Sequence, residues 1–156
     1  MCASKNKDVR FAEIRNSKAF HDYFVEERLE AGLVLSGTEV KSIRGSKAQI
    51  NDAFVKIIKG VPQLFQAHIS EYTFGNLNNH LPARPRVLLL HTKEIERLRF
   101  ATQAGGYTII PLRLYFKKGL VKIEIALAKG KKQQDKREDL KSKAIQRDLE
   151  RDFKQR

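Results

Sequence analysis

Tyr107 to Ala128 reads YTIIPLRLYFKKGLVKIEIALA, and its second half decides the fold. From Leu120 onward, Val121, Ile123, Ile125 and Leu127 take one side of an extended chain, and Lys122, Glu124, Ala126 and Ala128 take the other. A period of two marks a strand, because successive side chains point to opposite faces. One apolar and one mixed face predict a half-solvated antiparallel sheet with Lys122 on its outer side. Lys117-Lys118-Gly119 joins this strand to a second one, Tyr107 to Phe116, so the pair reads as a hairpin.

Working outward, Gly105-Gly106 stops a helix that precedes the hairpin. Its apolar positions Ile95, Leu98 and Ala101 recur at three-residue spacing, and Thr92 is placed as its cap. Residues 71–86 carry three Asn, two Pro, Gly75 and His80, which predicts a long exposed loop. Before it, Phe54 to Ile58 turns at Lys59-Gly60 into Val61 to Ile69, a second hairpin. Pro62 lies near the start of that second strand, where a missing N–H is tolerated. Gly37 to Gly45 reads as a short helix, with Val40 and Ile43 three apart and Gly45 as its stop. Phe20 to Leu35 is strand-like, and Gly32 inside it marks a bulge or a close approach of backbone. Residues 1–18 show no period and read as a flexible lead-in, 19–128 as the folded body and 129–156 as a tail. Short strands, tight turns and two short helices predict a mainly β protein, a small antiparallel barrel of the oligonucleotide-binding type with helices attached.

The 156 residues include 31 Lys+Arg and 18 Asp+Glu, a formal net charge of +13. A charge of that size attracts polyanions, and the cell's main polyanion is nucleic acid. One cysteine, Cys2, cannot make an internal disulfide, so a bridge-stapled secreted scaffold is excluded. The longest aliphatic run, Val87 to Leu90, is far below the roughly 20 residues that span a bilayer. No apolar segment follows the N-terminus, so a cytoplasmic protein without a membrane partner is expected.

The tail holds 11 Lys/Arg and 6 Asp/Glu in 28 residues. Its apolar residues Leu140, Ala144, Ile145, Leu149 and Phe153 form one narrow helical stripe. Acid-first pairs at i,i+4, Asp139–Lys143 and Glu150–Lys154, support a helix by a few tenths of about 1 kcal/mol each. Isolated helices of this length are marginal in water, so the tail is expected to sample helix when free and to order against a partner. The alternative is a terminal helix docked on the barrel by Leu149 and Phe153.

Catalytic patterns are sparse. His68 with Glu71 and His91 with Glu94 are the only short-spaced His/Glu pairs, and neither places two ligands on one helical face as His-Glu-x-x-His does. No metal site and no cofactor are expected. No glycine-rich phosphate loop is present. His21-Asp22 is an acid/base pair in sequence, and with His68 it defines the competing reading, a basic RNA-processing enzyme. A structural ribosomal protein is the third.

Seven stretches taken in order carry a resemblance. They are His21-Asp22-Tyr23-Phe24, Glu30-Ala31-Gly32, Gly37-Thr38-Glu39-Val40-Lys41-Ser42, Asn78-Asn79-His80 with Leu88-Leu89-Leu90-His91, Gly106-Tyr107-Thr108, Leu114-Tyr115-Phe116-Lys117, and Ala128-Lys129-Gly130-Lys131-Lys132 with Asp135-Lys136-Arg137. Together they resemble the SsrA-binding, or small protein B, family of bacteria, from about residue 16 to 139. The resemblance implies an RNA-binding factor and not an enzyme. Members of that family bind transfer-messenger RNA and bring it to ribosomes stalled on messages without a stop codon, for trans-translation and peptide tagging. It implies an oligonucleotide-binding-type barrel and a tail that is disordered when free and becomes helical in the empty message channel.

By the same resemblance Glu30, Leu89, His91 and Lys122 face the RNA, and Gly130, Lys131, Asp135, Lys136 and Arg137 engage the decoding region of the ribosome. The residue types suit those tasks. A carboxylate accepts from base edges, Leu89 offers apolar surface to an unstacked base, His91 stacks or hydrogen-bonds, and Lys122 neutralises a phosphate. Leu89 reads equally as core, and Glu30 and Lys122 as solvated strand faces. The chain departs from the family pattern at Ser17, Phe20, Leu81, Val87 and Gln134, which alters local charge and, at Gln134, a stacking group.

Overall fold

The computed structural model describes Phe11 and residues 13–154; Cys2 and most of the lead-in lie outside them. In chain order the elements are β1 Ile14–Arg15, α1 Ala19–Asp22, β2 Tyr23–Leu33, α2 Gly37–Arg44, β3 Ala48–Gln49, β4 Phe54–Ile58, β5 Val61–Phe65 and β6 His68–Ile69. A 3-10 turn at Asn76–Asn78 is followed by β7 Arg86–Leu89, α3 Thr92–Gln103, β8 Tyr107–Lys117, β9 Leu120–Gly130 and α4 Gln133–Lys154.

The hairpin that alternates most clearly in sequence is the longest ladder, β8 against β9 from Tyr107↔Lys129 to Lys117↔Leu120. Lys118 and Gly119, at φ 51° and 77°, make its two-residue turn, and Lys59 and Gly60 do the same for β4–β5. Two left-handed residues match the right-handed twist of the flanking strands. Pairing runs β8-β4-β5-β7-β2-β9 and returns to β8, so six antiparallel strands close a ring. Closure removes the open edges that a flat sheet would expose. Leu64, Leu88, Ile109, Leu114, Ile123 and Ile125 fill the interior, and Leu98 of α3 plugs it from one end with no exposed surface.

The alternation of β9 holds only in part. Lys122 and Glu124 are half-exposed on the outer face, whereas Ala126 and Ala128 are fully buried there. They form a second cluster with Ala19 of α1, Ile110 and Leu112. Small side chains on that strip let α1 lie against the sheet. The register of β8 shifts between Pro111 and Arg113, so Ile109 and Leu114 both face inward despite their odd spacing. A bulge turns one strand's faces over, and a proline without an N–H sits readily in one. Asn16 donates its side-chain amide to the Pro111 carbonyl at 2.9 Å and caps α1 by accepting from Lys18 and Ala19 N–H. Hence α1 stands where a continuous strand from Phe20 was expected.

Three further expectations change. Ile14–Arg15 is not loose lead-in, because it pairs along β8. Val61 to Ile69 is two strands, broken by Gln66 in the left-handed region, with β6 paired to β3. The 71–86 loop is not exposed throughout, since His80 and Arg86 are buried. Arg86 meets Glu39 of α2, itself fully buried. It accepts from Arg86 Nε at 2.8 Å and from Arg84 at 2.9 Å. Arg86 also donates to the carbonyls of Ala67 and Pro82, and His80 bridges Thr38 and the Ile69 carbonyl. A polar core of this kind folds the loop back over α2.

Candidate nucleic-acid interface

Gly32 pairs on one side with Leu89 of β7 and on the other with Lys122 of β9, and Lys122 in turn pairs with Tyr115 of β8. Leu89, Gly32, Lys122 and Tyr115 therefore form one row across four strands, on the outer face. The next row holds Glu30, Glu124 and Arg113. Gly32 serves a close approach and not a bulge: a Cβ there would lie 3.2 Å from that of Leu89. The Leu89 side chain lies over the glycine, its Cδ1 3.4 Å from where that Cβ would stand, with the cationic Lys122 on the other side.

Leu88 points into the core at 2% exposure and Leu89 is 59% exposed, so Leu89 is surface and the core alternative falls. Glu30 lies directly opposite Glu124, an arrangement that repels unless compensated. Arg113 takes Glu124 at 2.8 Å. Tyr115 donates its hydroxyl to Glu30, and Lys117 Nζ donates to both Glu30 oxygens at 3.2 and 3.3 Å. The Tyr115 and Lys117 donors hold the Glu30 carboxyl below its ordinary range, so it is ionised at neutral pH. Burial and the Glu30 carboxylate push the Tyr115 phenol well up, which keeps it a donor. A carboxylate offers about four lone-pair positions and Glu30 uses three here, so one acceptor position remains for a ligand.

His91 follows two residues after Leu89 and is exposed at the start of α3. It, and not Thr92, is the cap: its backbone N–H donates to Glu94 at 3.0 Å, because Glu94 is three residues into the helix and reaches back. The sequence reading missed Tyr115, Lys117 and Arg113, whose outward side is hidden by the Pro111 bulge.

The tail residues sit apart from this row, beside α1. Gly130 ends β9 opposite Tyr23. Lys131 donates its N–H to the Asp22 carbonyl at 2.8 Å and its Nζ to the Phe20 carbonyl at 3.0 Å. Its Nζ also pairs with Asp139 and lies 4.8 Å above the Phe24 ring, leaving the side chain 7% exposed. Lys136 pairs with Asp22 at 2.9 Å, Asp135 accepts from the Lys132 N–H, and Arg137 is exposed. Beyond this first turn α4 buries nothing, and Leu149 and Phe153 are exposed, so they do not dock it on the barrel. Asp22→Asn should free Lys136 and speed tryptic cleavage after it. Exposed pairs are worth about 0–1 kcal/mol, so an acceleration up to about fivefold is expected, and none would show that Lys131 alone holds the turn.

His21 Nδ1 lies 2.8 Å from Asp22, but Asp22 is also held by Lys136, and no hydrogen bond joins His68 to either among the described residues. Among the described residues no group of three His, Cys, Asp or Glu side chains is placed to hold a metal, and no helix is long and apolar enough to cross a membrane.

A family model described as SmpB protein matches residues 13–155. An SsrA-binding protein of Geotalea uraniireducens is 58% identical over 134 residues, 86% of this chain and 89% of the relative. One of Geobacillus thermodenitrificans is 54% identical over 142 residues, 91% and 92% of the two chains. A solved chain described as "tmRNA-SmpB: a journey to the center of the bacterial ribosome" superposes with a TM-score of 0.66 at 39% identity, over 78% of this chain and 85% of that one. With the family model spanning nearly the whole described chain and relatives above half identity over most of it, this chain belongs to the SmpB protein family.

Proposed function

We propose that the chain binds transfer-messenger RNA, the SsrA RNA its relatives are named for, through the outer row of the barrel and delivers it to stalled ribosomes for trans-translation. Leu89 and His91 present surfaces to unstacked bases, Glu30 accepts from a base edge or sugar hydroxyl, and Lys122 neutralises a phosphate. The alignment of Leu89, Gly32 and Lys122 in one register, with Glu30 beside them, carries this reading. The barrel is the RNA-binding unit. The segment from Lys129 onward, with Gly130, Lys131, Asp135, Lys136 and Arg137 at its base, is the ribosome-engaging unit. It is unfolded or frayed in solution and helical in the message channel. The factor acts in the cytoplasm, by binding and not by catalysis. An RNA-processing enzyme built on His21 and Asp22 is disfavoured, since Lys136 occupies the carboxylate that a general base needs.

Glu30→Ala and Lys122→Ala test the face with opposite signatures. Losing Glu30 removes a hydrogen bond to a charged group, so affinity for SsrA RNA should fall about tenfold or more. Bulk RNA should bind no worse, because a negative charge has been removed from the surface. Lys122→Ala should weaken both RNAs and reduce the slope of log K against log salt by about 0.7–0.9, one phosphate's worth. Titrations of each variant with both RNAs at several salt concentrations give the answer. Equal losses for the two RNAs in Glu30→Ala would remove Glu30 from the interface.

A further inference from the structure

Two residues, Lys131 and Lys132, join β9 to α4, so whatever holds them sets the direction in which the helix leaves the barrel. Lys132 is exposed, and its backbone N–H and carbonyl serve the first turn of α4 through Asp135 and Lys136. Lys131 is different, since its side chain is 7% exposed at the base of a charged tail. Its Nζ donates to the Phe20 carbonyl of α1 at 3.0 Å and to Asp139 of α4. The Phe24 ring of β2 lies 4.8 Å from the same nitrogen. Asp139 comes eight residues later, beyond the first helical turn, so one ammonium ties α4 to two elements of the barrel. A lysine has three N–H donors, and here two end on protein oxygens while an aromatic face attracts the charge. A phosphate reaches that nitrogen only by displacing one of these partners.

We infer that Lys131 serves the ribosome-engaging unit as a positioning residue, seating the root of α4 on α1 and β2 and so aiming the tail. Ribosomal phosphates are met by exposed cations beyond it, such as Arg137. Asp139 is the second positioning residue and acts only through Lys131. The helix it aims is long, 22 residues from Gln133 to Lys154. At 1.5 Å per residue that is a lever of about 33 Å, and an error of about 10° at the root shifts the far end by about 6 Å. Such a shift carries a side chain out of hydrogen-bonding reach of any fixed partner. Lys136 with Asp22 at 2.9 Å is a second tie on the same side, weaker because both groups are about one-third exposed. The inference rests on the reading of this segment as the ribosome-engaging unit.

Asp139→Asn tells a positioning role from direct contact, because the two give opposite results. If Lys131 neutralised a ribosomal phosphate, removing a competing carboxylate would leave tagging unchanged or raise it. A positioning role makes Asp139→Asn as damaging as Lys131→Gln, each lowering peptide tagging on stalled ribosomes about threefold to tenfold. Since both act through one contact, the double variant should lose no more than either single one. The Asp139 side chain is 42% exposed, so its change leaves the barrel core untouched, and thermal unfolding checks that all three chains are folded. Spin labels at Lys56→Cys and Lys141→Cys, in a Cys2→Ser background, report the direction of the helix in the free protein. Their distance distribution should broaden in both single variants, which the loss of an RNA contact would not cause. Normal tagging in Asp139→Asn beside a defective Lys131→Gln, or distributions that stay narrow, overturn the proposal. So does a fall of about 0.7–0.9 in the log–log salt slope of ribosome binding by Lys131→Gln, one phosphate's worth. Arg137→Gln run in parallel separates the two readings. If it lowers tagging while the Lys131 and Asp139 variants do not, the tail engages the ribosome and the anchor fails. If none of the three lowers tagging, the tail reading fails and the anchor with it.

Discussion

A chain ended after Lys132 should bind SsrA RNA nearly as well as the full protein and should fail to support peptide tagging on messages without stop codons. The cut removes α4, in which no residue is buried, so the barrel loses no core. β9 remains whole through Gly130, and Lys131 keeps its bonds to the Asp22 and Phe20 carbonyls. Ending at Lys129 would take those contacts too, and the position of the cut therefore matters. Residues 133–156 hold eight Lys/Arg and six Asp/Glu, a net +2 of the chain's +13, so long-range attraction to RNA is little changed. Glu30, Leu89, His91 and Lys122 are all retained. What disappears is a helix with an uncovered apolar stripe, Leu140, Ile145, Leu149 and Phe153 being 53–83% exposed. Ordering such a segment costs about 1–2 kcal/mol per residue, which only a partner along its length can offset. Ile145→Pro, which breaks an interior helix at a cost of about 3 kcal/mol or more, should reproduce the tagging defect in the full chain. Filter binding and a tagging assay decide it. Loss of RNA binding in the shortened chain, or normal tagging by it, would show that barrel and tail do not divide the work in this way.

The second large effect concerns stability. Glu39→Ala should destabilise the fold by about 3–5 kcal/mol, because removing one partner of a buried ion pair leaves the other charge uncompensated. Arg86 has a side chain with no exposed surface, and Glu39 is its only carboxylate among the described residues. Burial opposes ionisation of Glu39, but hydrogen bonds from Arg84, the Ser36 N–H and Arg86 outweigh it and hold the carboxyl below its ordinary 4.5. With the folded value depressed, the stabilisation is complete above the ordinary value and is lost as pH falls through the folded one. Urea unfolding at neutral and acid pH should therefore show the variant and the parent converging in acid. Hydrogen exchange should rise first between Ala67 and Arg86, where Arg86 ties down the Ala67 and Pro82 carbonyls. A variant within about 0.5 kcal/mol of the parent at neutral pH would contradict a structural role for the pair.

Much of the architecture is legible before any coordinate. The β8–β9 and β4–β5 hairpins, α2 and α3 follow from a period of two or three to four, closed by Lys118-Gly119, Lys59-Gly60, Gly45 and Gly105-Gly106. These are local signals, since turn and period need only neighbours along the chain. The order of motifs also carried the family resemblance. What the chain alone leaves open is every relation across it. Leu89 and Lys122 share a row only because β7 and β9 both pair with Gly32, and the partners of Glu30 come from β8 beyond a bulge that reverses its faces. Ala126 and Ala128 look solvated until α1 covers them, and Lys131 looks free until Phe20, Phe24 and Asp139 enclose it. Glu39 and Arg86, 47 residues apart, meet only in the fold. Residue type and spacing determine which segments extend or coil, because those choices are settled by adjacent side chains and backbone sterics. Which face is inside, which charges are paired and which remain free are settled only when strand register and closure bring distant segments into contact and exclude water between them.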